Sequence, residues 1–293
     1  LKVVPFSLIN WYTSTSVYTS SMNVQGVMDT EGNMLPYVHK FHQLAVEMPE
    51  PAQVGEQYSI RVVYGGDIID SLTQPDMAMG IREASDAQQA DQALSIVNYT
   101  LLNTYPWFPQ NGNNIFDRYT FEWTVTLPKP MLLASSGTMV KQEDTGSHFV
   151  YTVKENVPSA LASMIFGRFS LVADDPADGR RPYVRVFAHA GQVDSAREIL
   201  EQTHDLIEYF EELYQVPYAY PEIDIAQMPY GVGFAQAPPG LVQMDGVAYL
   251  NKTLLVNIWN VNNPFLRENF LPHELAHQWW AHVICSLTDH DYW

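Results

Sequence analysis

The sequence predicts a multi-domain protein that combines β and α/β domains. We expect an antiparallel β-sandwich or saddle domain over residues 1–188 and a smaller domain with helices over residues 189–293. The first expectation follows from many short alternating segments separated by turns rich in Pro and Gly. The second follows from a change near residue 188, where apolar residues begin to recur at the spacing of an α-helix.

The clearest predicted strand covers residues 119–128, because apolar side chains alternate with polar ones along it until Pro128. Its apolar positions are Tyr119, Phe121, Trp123, Val125 and Leu127. Similar segments predict further strands at 41–48, 58–64, 149–153, 161–171 and 183–187. Residues 86–93 are polar and rich in Ala and Gln, so we expect a short helix or an insertion there.

Residues 193–213 predict an amphipathic helix of about six turns, because their apolar side chains follow the i, i+3, i+4, i+7 spacing. Asp194 or Ser195 can cap its start, and Pro217 follows its end. His204 lies on or beside the apolar stripe, where a buried, hydrogen-bonded histidine is favoured over a metal ligand. The segment from Ile223 through Met228 predicts the next strand.

The run His273-Glu274-Leu275-Ala276-His277 predicts a zinc site. Histidines four residues apart lie on one face of a helix, so both imidazoles can bind one Zn²⁺ ion. Zinc lowers the pKa of a coordinated water to roughly 7, and Glu274 is placed to take its proton as general base. The alternative is a chance match on a solvated helix turn. The aromatic continuation Trp279-Trp280 favours a buried motif instead.

The residues around the motif narrow the class of metal site. A metzincin needs Gly and His where this chain has Trp280 and Val283, so that class is excluded. The remaining common arrangement takes a glutamate from a following helix as third ligand. Pro272 leaves two alternatives open: the helix begins at that proline, or a longer helix from Pro264 kinks there.

The string HELAHQWW at residues 273–280, followed by Asp291-Tyr292-Trp293, resembles the aminopeptidase N family of zinc metallopeptidases. These gluzincins read HELAHQWWG and share the pattern HExxH-x18-E. The resemblance places the third ligand, a glutamate, three residues beyond Trp293, so we expect a fragment that is inactive by itself and lacks the C-terminal part of the same protein. It also implies that residues 189–293 are the incomplete first part of a thermolysin-like catalytic domain.

The resemblance extends more loosely into the N-terminal region. Residues 104–109, TYPWFP, and the following FEWTVTLPKPMLLASSG at 121–137 look like the family's WYP element and its next strand. We expect Trp107 and Phe108 to fill a core. The implied function is zinc-dependent peptide-bond hydrolysis, aminopeptidase-like in the full-length form. Alternatives are a non-catalytic peptide-binding module on the same fold and a peptidase that needs no free amino terminus.

The loop at 228–242 is the second candidate site. In the family, a G-x-M-E-N segment followed by P-G-L pairs with the substrate backbone, and its glutamate binds the substrate's α-amino group. The corresponding residues in this chain are Gly233, Phe234, Ala235, Gln236 and Ala237. The glutamate position holds Gln236 or Ala237, depending on the alignment. Neither is a carboxylate, so peptide hydrolysis is better supported than specificity for a free amino terminus.

Composition excludes several partners. The net charge is −18 with only 15 Lys and Arg, which makes nucleic acid and anionic membrane surfaces poor partners. No apolar run is long enough to span a membrane. The single cysteine, Cys285, excludes an intrachain disulfide and is expected to be a packed thiol. His290 lies between Asp289 and Asp291; a surface turn is favoured there over a substitute zinc ligand. The expected partner is a peptide substrate, and the compartment is not predicted.

Overall fold

The computed structural model describes residues 2–8, 12–13, 19–20, 22–51, 53–66, 98–101, 107–110, 118–228, 235–249 and 265–284. These residues form mostly β-sheet with few helices. Their strands are β1 Val3–Ser7, β2 Tyr12–Thr13, β3 Thr19–Ser20, β4 Met22–Met28, β5 Tyr37–Lys40, β6 Gln43–Glu47, β7 Arg61–Gly66, β8 Asn98–Leu101, β9 Tyr119–Pro128, β10 Leu132–Ser135, β11 Thr138–Asp144, β12 His148–Ser159, β13 Met164–Gly167, β14 Ser170–Ala173, β15 Tyr183–Ala188, β16 Glu222–Gln227, β17 Ala235–Gln236 and β18 Leu241–Met244. The helices are α1 Val193–Tyr214 and α2 Phe265–Ala276, with 3₁₀ turns at Pro176–Asp178 and Gly246–Tyr249.

The chain divides into two compact units. The first contains residues 1–69 and 101–117, and the second contains residues 70–100 and 118–293. The predicted helix or insertion at 86–93 lies outside the described residues. No helix of the described ranges is long and apolar enough to cross a membrane.

The first unit is built from antiparallel strands. Its sheets are β1-β6-β5, β4-β7 and β2-β3. The strand predicted from residue 41 begins at Gln43 instead, because Phe41 and His42 form a two-residue turn with φ of 52° and 61°. A turn with both central residues in this left-handed region matches the twist of a hairpin, although Gly and Asn adopt it more readily. Trp107 packs against this unit's core, as predicted, and contacts the Phe108 ring at 4.7 Å.

The second unit contains the strand that the sequence predicts most clearly. β9 pairs with β12, and β12 pairs with β11, all antiparallel. The predicted alternation along β9 is confirmed, and the rings of Phe121 and Trp123 stack on one face at 4.1 Å. A second sheet has the order β10-β13-β8.

The sheet that carries the candidate site is mixed, with the order β14-β15-β16-β18-β17. Its three central strands, β15, β16 and β18, run parallel, and both outer strands are antiparallel to their neighbours. All six residues of β16 are buried, as expected for a parallel strand covered on both faces. Helix α2 packs against β17 and β18, which brings the predicted zinc motif to this edge of the sheet.

Helix α1 confirms the predicted helical periodicity. Its buried side chains are Ala196, Ile199, Leu200, Thr203, Ile207 and Phe210. The predicted N-cap is wrong. The helix begins at Val193, so its N-cap residue is Gln192, whose side chain makes no capping hydrogen bond. Asp194 therefore lies inside the first turn and pairs with Arg197 at 2.7 Å. As predicted, His204 is a hydrogen-bonded side chain, with Nε2 2.9 Å from the Asp174 carboxylate.

A buried ion cluster joins strands β15 and β16 of the mixed sheet to β10 and β11. The Arg185 guanidinium on β15 donates to both carboxylate oxygens of Asp224, at 2.7 and 2.8 Å, and to Glu222 at 3.2 Å. The same carboxylates accept backbone N–H bonds from Ser135, at 2.9 Å, and Met139, at 2.6 Å. Burial raises the pKa of Asp224, and the guanidinium opposes that rise. One arginine thus satisfies two carboxylates that have almost no contact with water.

Replacing Arg185 with Met removes the cation while both carboxylates stay buried. Breaking a buried pair from one side is strongly destabilising, so we expect the free energy of unfolding to fall by about 3–5 kcal/mol. Urea denaturation of R185M measures this. The control is R197M, since Arg197 pairs with Asp194 where both side chains are exposed, and its loss is expected to be about 1 kcal/mol or less. Equal losses in the two variants would contradict the role given to Arg185.

Candidate active site

Helix α2 presents the two predicted zinc ligands side by side. It runs through Pro272, so the longer-helix alternative is the observed one, and His277 continues its last turn with N–H to the His273 carbonyl at 3.4 Å. The imidazole rings of His273 and His277 lie 4.9 Å apart, centroid to centroid, and nearly perpendicular. The i, i+4 spacing therefore places both rings together.

Glu274, the predicted general base, is only 4% exposed. Burial raises the pKa of its carboxyl to about 7. A carboxyl with a pKa close to the working pH both accepts and releases a proton readily, which suits a general acid–base role. The burial of Glu274 and its raised pKa are thus compatible with the predicted role.

The environment of His277 favours its neutral form. Burial lowers the pKa of this imidazole, and the neighbouring His273 lowers it further. Nδ1 lies 3.4 Å from the backbone carbonyl of Trp280, which orients the ring and leaves Nε2 on the opposite side. Neutral imidazoles oriented through their second nitrogen are the usual ligands of zinc. These side chains therefore fit a zinc ion, although within the described residues no group of three His, Cys, Asp or Glu side chains is placed to hold one.

The end of the motif is fixed by Trp279, which is 1% exposed. Its indole N–H donates to the Val216 carbonyl at 2.9 Å. Its ring contacts Phe210, Tyr214 and Tyr218 at centroid distances of 5.6–5.8 Å. The predicted burial of the aromatic continuation is confirmed for Trp279, whereas Trp280 is half-buried and His273, within the motif, is exposed. Trp279 holds the histidine turn against the end of α1.

The second candidate site lies at the outer edge of the mixed sheet. Among the described residues, β17 pairs only with β18, through Ala235 opposite Met244 and Gln236 opposite Gln243. The Gln236 side chain donates to the side-chain oxygen of Gln243. Ala235 and Gln236 are half-buried and Ala237 is buried, whereas the predicted contacts Gly233 and Phe234 lie outside the described residues. An edge strand offers unpaired backbone groups to an extended peptide.

Several known proteins resemble this chain in sequence or in fold. No family model matches the sequence. Aminopeptidase M1 of Arabidopsis thaliana is 25% identical over 169 residues, which are 56% of this chain and 18% of that protein. Human endoplasmic reticulum aminopeptidase 1 is 24% identical over 262 residues, or 86% of this chain and 26% of its own. The M1 zinc metallopeptidase of Deinococcus radiodurans shares the fold, with a TM-score of 0.60 at 20% identity over 96% of this chain and 57% of that one.

The predicted resemblance to the aminopeptidase N family is confirmed. The chain spans only about a fifth to a quarter of the length of these two curated relatives. That Gln236 or Ala237 takes the glutamate position of the family's G-x-M-E-N pattern stays a prediction, and both residues lie in the described part of that segment. Cys285, His290 and the Asp291-Tyr292-Trp293 end of the family pattern lie outside the described residues.

Ala281 marks a second departure from the aminopeptidase N pattern, which has glycine after HELAHQWW. Its φ is 87°, in the left-handed region that glycine adopts without steric penalty. The chain reverses there, with the Ala281 N–H donating to the Ile284 carbonyl at 2.7 Å. This reversal turns the next residue, His282, back toward the sheet.

Sequence reasoning gave no role to Gln278 or His282, yet both are buried and both contact the segment after β17. Burial lowers the pKa of His282 to about 4, so the ring is neutral at pH 7. The available signal was the presence of two polar side chains within an apolar and aromatic run. Such a pattern indicates burial with hydrogen bonding, but it does not name the partner.

Proposed function

We propose that the full-length protein is a zinc metallopeptidase related to aminopeptidase N. Its β domain covers residues 1–188 and the first part of a thermolysin-like catalytic domain covers 189–293. The domain boundary near residue 188 stays a prediction. Strand β15 ends at that residue and pairs with β16, which belongs to the second of the two proposed domains. The observation that carries the proposal is the grouping of His273, Glu274 and His277 at the C-terminal end of α2, beside an edge strand.

His273 and His277 would hold the zinc, together with the glutamate that the family pattern implies. When bound, zinc acts as a Lewis acid and makes water a nucleophile near neutral pH. Glu274 accepts a proton from the attacking water and then delivers it to the leaving amine. Burial raises the pKa of this carboxyl above its ordinary value, which favours uptake of the proton.

The substrate class we propose is a peptide. The relatives are aminopeptidases by name, and a variant of the Deinococcus radiodurans enzyme has been solved with a Tyr-Ser-Ala substrate. In this chain, the backbone of β17 would pair with an extended peptide, with Gly233, Phe234, Ala235, Gln236 and Ala237 along the contact. The peptide would thereby run past the histidine turn of α2.

The rival is a peptide-binding module that has kept the fold without the chemistry. The absence of a carboxylate at Gln236 and Ala237 favours it, because binding of a substrate ammonium is not evident there. The buried Glu274 argues against it, since a protein that only binds peptides gains nothing from a buried carboxyl beside two histidines. A third possibility, a peptidase that accepts blocked amino termini, agrees with both observations.

Glu274→Gln tests the catalytic role in the full-length protein. The amide keeps the size of the side chain but does not take a proton, so we expect kcat to fall by about 10²–10⁴-fold. Zinc content and KM should change little. The control is Glu201→Gln, at an exposed position on α1, which should leave kcat unchanged. Full turnover in E274Q would rule out Glu274 as the base, and peptide binding without turnover in the unmodified protein would favour the binding module.

Blocking the substrate's amino terminus tests specificity. Because neither Gln236 nor Ala237 offers a charge-assisted bond to an ammonium, we expect acetylation of a peptide to lower kcat/KM by only about tenfold. Gln236→Glu should raise the preference for the free amine. A loss of about a thousandfold on acetylation in the unmodified enzyme would contradict this, and would mean that another acidic residue recognises the amine.

A further inference from the structure

Two buried polar side chains hold the segment that follows the edge strand. Gln278 is 1% exposed and His282 is 4% exposed, and both follow the zinc motif in sequence. Neither takes part in the chemistry proposed above. Both approach one atom, the backbone carbonyl oxygen of Ala237, which directly follows β17.

The amide of Gln278 is hydrogen-bonded on both its ends. Its Nε2 donates to the carbonyl oxygens of Pro238, at 3.1 Å, and Ala237, at 3.4 Å. Its Oε1 accepts the backbone N–H of Gly240 at 2.9 Å. One side chain therefore fixes three backbone groups after β17, those of Ala237, Pro238 and Gly240, and only an amide supplies the donors and the acceptor together.

His282 reaches the same carbonyl from the reversed turn after α2. Its Nε2 lies 2.5 Å from the Ala237 oxygen, and a carbonyl only accepts, so this nitrogen carries the proton. The backbone carbonyl of His282 accepts in turn from the Arg118 guanidinium at 2.7 Å. The imidazole is thus held from its main chain as well as from its ring.

We propose that Gln278 and His282 are positioning residues that set the distance and register between the peptide-binding edge β17 and the zinc ligands. This inference rests on the proposed function. A peptide paired with β17 takes its register from that strand, so its scissile carbonyl lies correctly over His273 and His277 only if the strand is fixed relative to α2. The two side chains make that connection, because both belong to the segment that continues from the second histidine.

The role is distinguishable from simple stabilisation by the kind of substrate affected. A hexapeptide depends on pairing with β17, whereas an aminoacyl p-nitroanilide has too little backbone to pair along the edge. Misplacement of a bound substrate by about 1 Å lowers the rate by about a hundredfold. Loss of the connection should therefore lower kcat for the hexapeptide far more than for the anilide.

The experiment uses the full-length enzyme and the variants Gln278→Met, His282→Leu and His282→Gln. We expect Q278M and H282L to lower the hexapeptide kcat by about a hundredfold, the anilide kcat by about threefold or less, and zinc content not at all. H282Q should recover most of the hexapeptide activity, because its amide restores a donor toward Ala237. Thr203→Val is the matched control, since it removes a buried hydrogen bond in α1, to Ile199 at 2.7 Å, away from the edge. It should lower Tm without changing the ratio of the two activities.

The outcomes separate the two levels of the proposal. If the unmodified enzyme cleaves both substrates and the variants lose both activities equally, or lose neither, the positioning role is overturned and the peptidase function stands. If Q278M and H282L fold poorly, Gln278→Glu decides the matter, because its carboxylate still accepts from Gly240 but does not donate to Ala237 or Pro238. A normal ratio of the two activities in folded Q278E overturns the positioning role. If the unmodified enzyme, loaded with zinc, cleaves neither substrate, the proposed function and this inference fall together.

Discussion

The structure around the site depends on one buried cation. Arg185 is almost fully enclosed, and a buried guanidinium is tolerated only when carboxylates face it and their remaining oxygens are hydrogen-bonded. Asp224 and Glu222 meet this requirement by accepting N–H groups from Ser135 on β10 and Met139 on β11. The cluster therefore fixes the mixed sheet against β10 and β11. A shift in the register of these strands would leave a buried charge without its partner.

That constraint continues into the site through the backbone. The N–H of Asp224 donates to the Gly240 carbonyl at 3.0 Å, and the N–H of Gly240 donates to Gln278 at 2.9 Å. Gly240 has a φ of 70°, which lets the chain turn from the segment after β17 into β18. A short path of hydrogen bonds thus runs from the ion cluster, through one turn, to the residue that follows the second histidine. The proposed metal ligands and the proposed peptide-binding edge share this support.

The sequence was informative wherever burial is periodic. Alternation located β9, the 3.6-residue period located α1, and the four-residue spacing of His273 and His277 placed two imidazoles together. The resemblance to aminopeptidase N rested on a few residues and agrees with the comparisons. These signals are local, because each reflects which face of a single element is buried.

The remaining features arise from contacts between residues far apart in sequence. The sequence around Arg185 does not predict that it pairs with Asp224, 39 residues later. The sequence around Gln278 likewise does not predict its hydrogen bond to Gly240, 38 residues earlier. The turn at Phe41 and His42 was missed for a different reason: bulky residues there occupy a conformation that their own preferences disfavour, so the strand pairing overrides local propensity. The prediction of the N-cap was wrong for a similar reason. Helix α1 is stabilised by its buried face, so it begins after Gln192 without a capping side chain.

The central claim is that His273 and His277 bind a catalytic zinc, and anomalous diffraction at the zinc K edge tests it most directly. Crystals of the full-length protein grown with zinc should give one strong anomalous peak about 2.0–2.1 Å from a ring nitrogen of each histidine, with a third protein ligand completing the set. A chelator should remove the peak and the peptidase activity together. A zinc-saturated crystal with no peak between these two rings, or with the ion held elsewhere, would contradict the account.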